Sequence, residues 1–233
     1  STLWVNHELS GDGEESPSAR ISELKIDNKK RAVLSGKYLV DGTEGYRRFC
    51  SSNYFAGGKR KLKASGHRYE AYYTGEENTT SIAEDAPAPG ADSDFEAISG
   101  RVVTYVPDTG KLHEITAFGA MDPWENVVAL KGYGKFVLIG LSDGSGRGEW
   151  LTGRNNRSQL FMFVADSQKD AINGKGEVYV FVSDTKSGME PGVPEDITIK
   201  KGEGYLEGKF VKVDQKYVQS KDWRVADKAL EEE

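Results

Sequence analysis

Eleven short runs of apolar, β-rich residues follow one another along this chain, and the gaps between them carry turn chemistry instead of a 3.6-residue helical period. The runs are Leu3 to Val5, Ile21 to Ile26, Ala32 to Val40, Tyr69 to Thr74, Arg101 to Val106 and Leu112 to Phe118. They continue with Val127 to Leu130, Phe136 to Leu141, Gln159 to Val164, Glu177 to Val182 and Gly208 to Val213. Asp41-Gly42, Asp108-Thr109-Gly110, Asp143-Gly144 and Asn173-Gly174-Lys175-Gly176 supply the turns. No helical pattern long enough for a βαβ crossover separates the runs, so the expected fold is all-β: a sandwich, a barrel or a propeller. Few short helices are expected, the one convincing stretch being the tail Asp222 to Glu233, charged and as ready to fray as to pack. Residues 81–94, with Pro87 and Pro89, and residues 143–156, rich in Gly and Arg, have the composition of surface loops. Neither divides the chain, so residues 1–233 are read as one domain or a part of one.

Glycine accounts for 27 of 233 residues, above the usual ~7%, with no Gly-X-Y period, which fits many turns and excludes collagen. A net charge of −6 argues against nucleic acid and anionic lipid as partners. The basic cluster Lys59, Arg60, Lys61 and Lys63 lacks interleaved aromatic residues and reads as a solvated loop or edge strand. No apolar run approaches the ~20 residues a membrane-spanning helix needs. A single cysteine, Cys50, permits neither an internal disulfide nor a thiolate zinc cage.

Familiar catalytic signatures are missing. There is no G-x-S-x-G elbow, phosphate loop or H-E-x-x-H pair, and His7, His67 and His113 stand far apart. Asp92, Asp94 and Glu96 have calcium-loop spacing, but Ala97 occupies the position where an EF-hand needs Gly. Asn78-Thr79-Thr80 and Asn156-Arg157-Ser158 are glycosylation sequons of the kind that arise by chance. What remains is a set of polar residues at strand ends: Asn6-His7-Glu8, Glu76-Glu77-Asn78, Trp124-Glu125-Asn126 and Asp143. Solvated strand-end acids are the ordinary explanation. The alternative is an oxygen-rich ligand set, because adjacent buried carboxylates such as Glu76 and Glu77 repel unless a cation joins them.

The order of these segments carries more information than any one of them. Leu3-Trp4-Val5-Asn6-His7-Glu8, Arg48-Phe49-Cys50-Ser51, Tyr73-Thr74-Gly75-Glu76-Glu77, Pro123-Trp124-Glu125-Asn126-Val127-Val128 and Val137-Leu138-Ile139-Gly140-Leu141-Ser142-Asp143 follow in sequence, and Gln159 to Val164 comes after them. Together they resemble the PhoX-type alkaline phosphatases and their large secreted β-propeller relatives, over roughly residues 1–182.

That resemblance implies a β-propeller-like fold, phosphomonoester hydrolysis, and a central cluster of calcium with iron beside it. It makes Cys50 the thiolate on iron and Glu8, Glu76, Glu77, Glu125 and Asp143 the candidate carboxylates, undivided between Ca2+ and Fe3+. Arg47, Arg48, Arg147 and Arg154 are available to bind phosphate. The resemblance also implies a secreted, periplasmic or cell-surface location. Ser142-Asp143-Gly144 offers one carboxylate where many relatives have two, and a later acidic motif of the Arg-Pro-Glu-Asp type is absent. The expectation is therefore a partial ring, completed by the rest of a longer propeller or by a self-assembly partner. The competing expectation is a calcium-stabilised structural or adhesive module without turnover.

Overall fold

The computed structural model describes residues 1–7, 19–44, 46, 48–77, 100–118, 124–142, 160–183 and 208–213. Their strands form three antiparallel sheets, each a meander of consecutive strands. The first sheet holds β1 (Thr2–His7), β2 (Arg20–Asp27) and β3 (Ala32–Val40). The middle sheet holds β4 (Asn53–Phe55), β5 (Ala71–Gly75), β6 (Val102–Val106) and β7 (Lys111–Glu114). The third sheet runs β8 (Trp124–Ala129), β9 (Phe136–Ser142), β10 (Leu160–Ala165), β11 (Glu177–Ser183) and β12 (Gly208–Lys212). Among the described residues no sheet closes into a barrel.

All eleven expected runs coincide with strands, though Leu112 to Phe118 yields only a four-residue strand before a turn. The twelfth, β4, is three residues long and too short for a period-2 signal. Two short helices accompany the strands, in keeping with the expectation of few short helices. The basic cluster forms α1 (Lys59–Ala64), neither loop nor edge strand, and α2 covers Gln168–Ile172. In α1, Leu62 is buried while its charged neighbours stand in solvent, and the amides of Lys61 and Leu62 bond back to the Gly58 carbonyl. In α2, Ser167 caps the first turn, its side chain accepting from the Asp170 amide. No helix among the described residues is long and apolar enough to cross a membrane. The tail 222–233, the stretches 81–94 and 143–156, the Asp92 to Glu96 acids and both sequons lie outside the described residues.

Alternation in the middle sheet places its residues in two separate cores. Tyr72, Val103 and Tyr105 meet Ile21, Val40 and Trp4 of the first sheet. Ala71, Tyr73, Val102 and Val106 meet Trp124, Val127, Leu138 and Phe163 of the third sheet and its turns. Both β5 and β6 are buried along their whole length, as strands covered on two faces must be.

One side chain ties the first junction at its polar end. Asn6 Nδ2 donates to the Ser51 carbonyl (2.5 Å) and to Thr74 Oγ1 (2.9 Å), and the Tyr72 hydroxyl donates to Asn6 Oδ1 (2.7 Å). Asn6→Ala removes all three bonds between part-buried groups and is expected to cost about 2 kcal/mol. Denaturant unfolding would register this as a lower midpoint at unchanged slope, and an unchanged midpoint would show the junction does not depend on Asn6.

Candidate metal centre

The ends of several strands converge at one edge of the stack. Asn6 near the end of β1 touches Ser51, the Ser51 hydroxyl accepts from the Gly75 amide at the end of β5 (3.1 Å), and Trp124 at the start of β8 pairs with Ser142 at the end of β9. The backbone after β5 is held from three sides. Glu76 forms a bridge with Phe49, its amide donates to the Arg101 carbonyl (2.8 Å), and its own carbonyl accepts from the Trp124 amide (3.0 Å). The Glu77 amide then donates to the Arg48 carbonyl (2.8 Å).

This clamp brings Cys50, Glu77 and Glu125 together, with one ligand atom from each within 4.8 Å of the others. Cys50 is half-buried, Glu77 buried and Glu125 exposed. Glu125 owes its position to a β-bulge. Trp124 pairs with Ser142 and Asn126 with Leu141, so Glu125 is an extra residue in β8 with no partner in the register. Such a bulge re-aims a side chain while the strand continues, and bulges are common beside active sites. Ions with metal–ligand bonds of ~2.0–2.3 Å hold neighbouring donors roughly 3–4 Å apart, a contraction that rotation of the exposed Glu125 side chain can provide.

Glu76 is not part of this group. It is fully buried and its carboxylate turns to Arg101, with Oε2 3.3 Å from the Arg101 amide and 3.6 Å from Nε. Arg101 also bonds Glu114 (2.7 Å) and lies over the Tyr46 ring at 3.9 Å. The Tyr46 hydroxyl donates to the same Glu114 oxygen (2.8 Å); burial first and then Glu114 push its pKa far above the ordinary phenol value. Glu77 has its own arginine, with Arg48 Nε 3.0 Å from Oε2. The repulsion between Glu76 and Glu77 expected from sequence is thus relieved by two guanidinium groups, one for each carboxylate. Glu8 and Asp143 lie outside the described residues.

No family model, curated protein or solved structure matches the chain.

Sequence reasoning did not find Arg101, and it had no ground for preferring Arg48 to three other arginines. A signal for the bulge was present. Inward residues Trp124, Val127 and Ala129 are spaced three and then two apart, which breaks strict alternation at the residue that becomes a candidate ligand. Chemically, the trio offers one soft and two hard donors in a partly water-excluded corner. That combination favours a transition metal over calcium, which takes oxygen ligands.

Proposed function

We propose that this chain binds a metal ion through Cys50, Glu77 and Glu125 and belongs to a PhoX-like, secreted or surface-exposed protein that hydrolyses phosphate monoesters. The observation that carries the reading is the meeting of three side chains from widely separated segments, all three among the six that the sequence resemblance singles out. In this reading the thiolate centre takes iron, and calcium is left to oxygen donors such as Glu8 and Asp143. Glu76 drops out of the ligand set because Arg101 holds it. A bound cation would polarise a phosphoryl oxygen and neutralise its developing charge. Arg48, already at Glu77, orients that carboxylate and puts positive charge beside the candidate ligands, a partner for a phosphate group in this reading. The propeller-like ring is part of the same proposal, three stacked meanders being one arc of it.

The second reading, a metal-stabilised structural module, is favoured by the commitment of one family-type carboxylate, Glu76, to an internal ion pair. Metal analysis by mass spectrometry and a chromogenic phosphate monoester assay separate the two. The chain purified with iron and calcium supplied is expected to carry about one transition-metal ion, and Cys50→Ser to lower that by at least ~10-fold, a loss that even residues behind the ligands can produce. Turnover that disappears on chelation supports the phosphatase, and stoichiometric metal without turnover supports the structural module. Wild-type protein lacking transition metal, with Cys50 rapidly labelled by a thiol reagent, would remove the basis for both.

A further inference from the structure

The fold gives the basic cluster what its sequence lacks, an aromatic residue set among the cations. Helix α1 follows β4 and carries Lys59, Arg60, Lys61 and Lys63, all exposed around the buried Leu62. The turn between β8 and β9, Lys131-Gly132-Tyr133-Gly134-Lys135, lies against the end of that helix. Its Gly134 amide donates to the Ala64 carbonyl (2.7 Å) and its Gly132 amide to the Ser65 hydroxyl (3.1 Å). Tyr133, in the middle of this turn, is 68% exposed, more than any other large apolar or aromatic side chain among the described residues.

Acids do not neutralise these cations. Among the described residues Lys135 pairs with Asp166, and no ion pair joins an acid to Lys59, Arg60, Lys61, Lys63 or Lys131. Glu70, the acid beside Lys61, has its carboxylate taken by the Tyr54 hydroxyl and the Gly57 amide. Lys61 instead meets Lys131. A side-chain hydrogen bond to Lys131, then desolvation and like charge, holds the Lys61 pKa below the ordinary lysine value. Lys131 Nζ lies 5.7 Å from the centre of the Phe55 ring, which helps to hold it there. Two like charges in contact attract an anion that can bridge them. An open hollow of about 540 Å³, lined by Gly58, Lys59, Arg60, Lys61 and Ala64, gives such an anion room.

We infer that this rim binds single-stranded nucleic acid, with phosphates on the cations that no acid pairs and a base stacked on Tyr133. Cations alone would suit any polyanion. An exposed ring between lysines adds the flat platform that unpaired bases use, and a duplex keeps its base faces stacked on one another. The whole-chain charge of −6 does not forbid this, because a Debye length of ~8 Å at physiological salt leaves contact to the local cations. The surface is also separate from the candidate metal centre. In the antiparallel pair β4 and β5, α1 lies in the connection between the strands, whereas Cys50 precedes β4 and Glu77 follows β5 at the opposite end.

Fluorescence anisotropy with the full 233-residue chain tests this, using a labelled oligothymidylate of about 12 nucleotides, within the range of single-strand site sizes. A dissociation constant of roughly 1–100 μM is expected at physiological salt, weakening with added salt at a log–log slope of about −3 to −4 for five cations. Lys61→Glu with Lys131→Glu is expected to weaken binding at least ~10-fold and to flatten the slope. Tyr133→Ala is expected to weaken it at least ~5-fold at unchanged slope. An abasic oligonucleotide of the same length is expected to bind wild type at least ~5-fold more weakly than the oligothymidylate does, and Tyr133→Ala about equally. These positions are exposed, circular dichroism checks that each protein is folded, and Lys59→Glu with Arg60→Glu replaces the first pair if that pair does not fold. No binding to wild type at ~50 mM salt would overturn the inference. So would equal binding of the abasic strand to wild type, which would mark a surface blind to bases. Binding that EDTA abolishes in still-folded protein would place the phosphates at the metal centre and overturn it as well.

Discussion

Trp124→Ala is expected to cost about 3–5 kcal/mol, a large share of the stability of a domain this size. The indole is fully buried at the seam of the middle and third sheets, with Phe118 4.7 Å and Phe161 5.6 Å from its ring centre. Its Nε1 donates to the Gly100 carbonyl at 2.6 Å. Two glycines make room for it. A Cβ built on Gly75 would lie 2.4 Å from Trp124 Cβ, and one on Gly140 would lie 2.4 Å from Cζ3. Neither indole nor glycine can change alone, so their costs should not add. Gly140→Ala is expected to destabilise strongly beside Trp124 and much less in the Trp124→Ala background, a double-mutant cycle with a coupling in the roughly 0.5–3 kcal/mol range seen for residues in contact. Additive costs would show that the glycine is not there for the indole. Since Glu125 follows Trp124 directly, the same substitution should loosen the candidate metal centre, visible as lower metal content in the folded fraction.

Acid is expected to remove about 3 kcal/mol of stability through His67 alone. The ring stacks on Phe55 with centroids 3.9 Å apart and lies 4.8 Å from Phe136. Its Nδ1 lies 2.8 Å from the Ser65 carbonyl and donates to it, which leaves Nε2 to accept from the Tyr73 hydroxyl at 2.9 Å. Burial in this aromatic slot lowers its pKa from 6.5 to about 4, against a smaller opposing pull from the Ser65 carbonyl. The folded state thus resists a proton that the unfolded chain accepts readily. The contribution is fully present above pH 6.5, falls by ~1.4 kcal/mol for each step of one in pH on the way down to about 4, and levels off below that. Urea midpoints on either side of neutral and near the lower end of this window check it. His67→Gln should be less stable than wild type at neutral pH and should lose less on acidification. Equal losses in the two proteins would assign the acid sensitivity to carboxylates instead.

The two helices and β4 were hidden for a common reason: none is long enough to show a period. α1 is six residues of mostly basic sequence whose helical form rests on one buried leucine and the turn at Gly58, a tertiary outcome that local composition does not announce. The long meander strands were legible because each is apolar on at least one face and turn residues such as Gly, Asn and Asp stand between them. At the candidate site, Cys50, Glu77 and Glu125 could be named from motif order, yet not divided from Glu76. Adjacent residues on a strand point to opposite sides, and which side holds a cation and which an arginine depends on Arg101 and Arg48 arriving from other segments. Distances between segments are a property of the packed sheets and leave no trace in spacing.

The meander order of all three sheets has a consequence for how the chain reaches its native state. Each described strand pairs only with described strands adjacent to it in chain order, so every sheet forms by pairing neighbours in sequence. Long-range ordering is then confined to laying finished sheets on one another. The corner where Cys50, Glu77 and Glu125 meet is complete only in that last step, because Glu125 belongs to the third sheet, whereas the Cys50 and Glu77 segments are already paired beside β4 and β5 of the middle one.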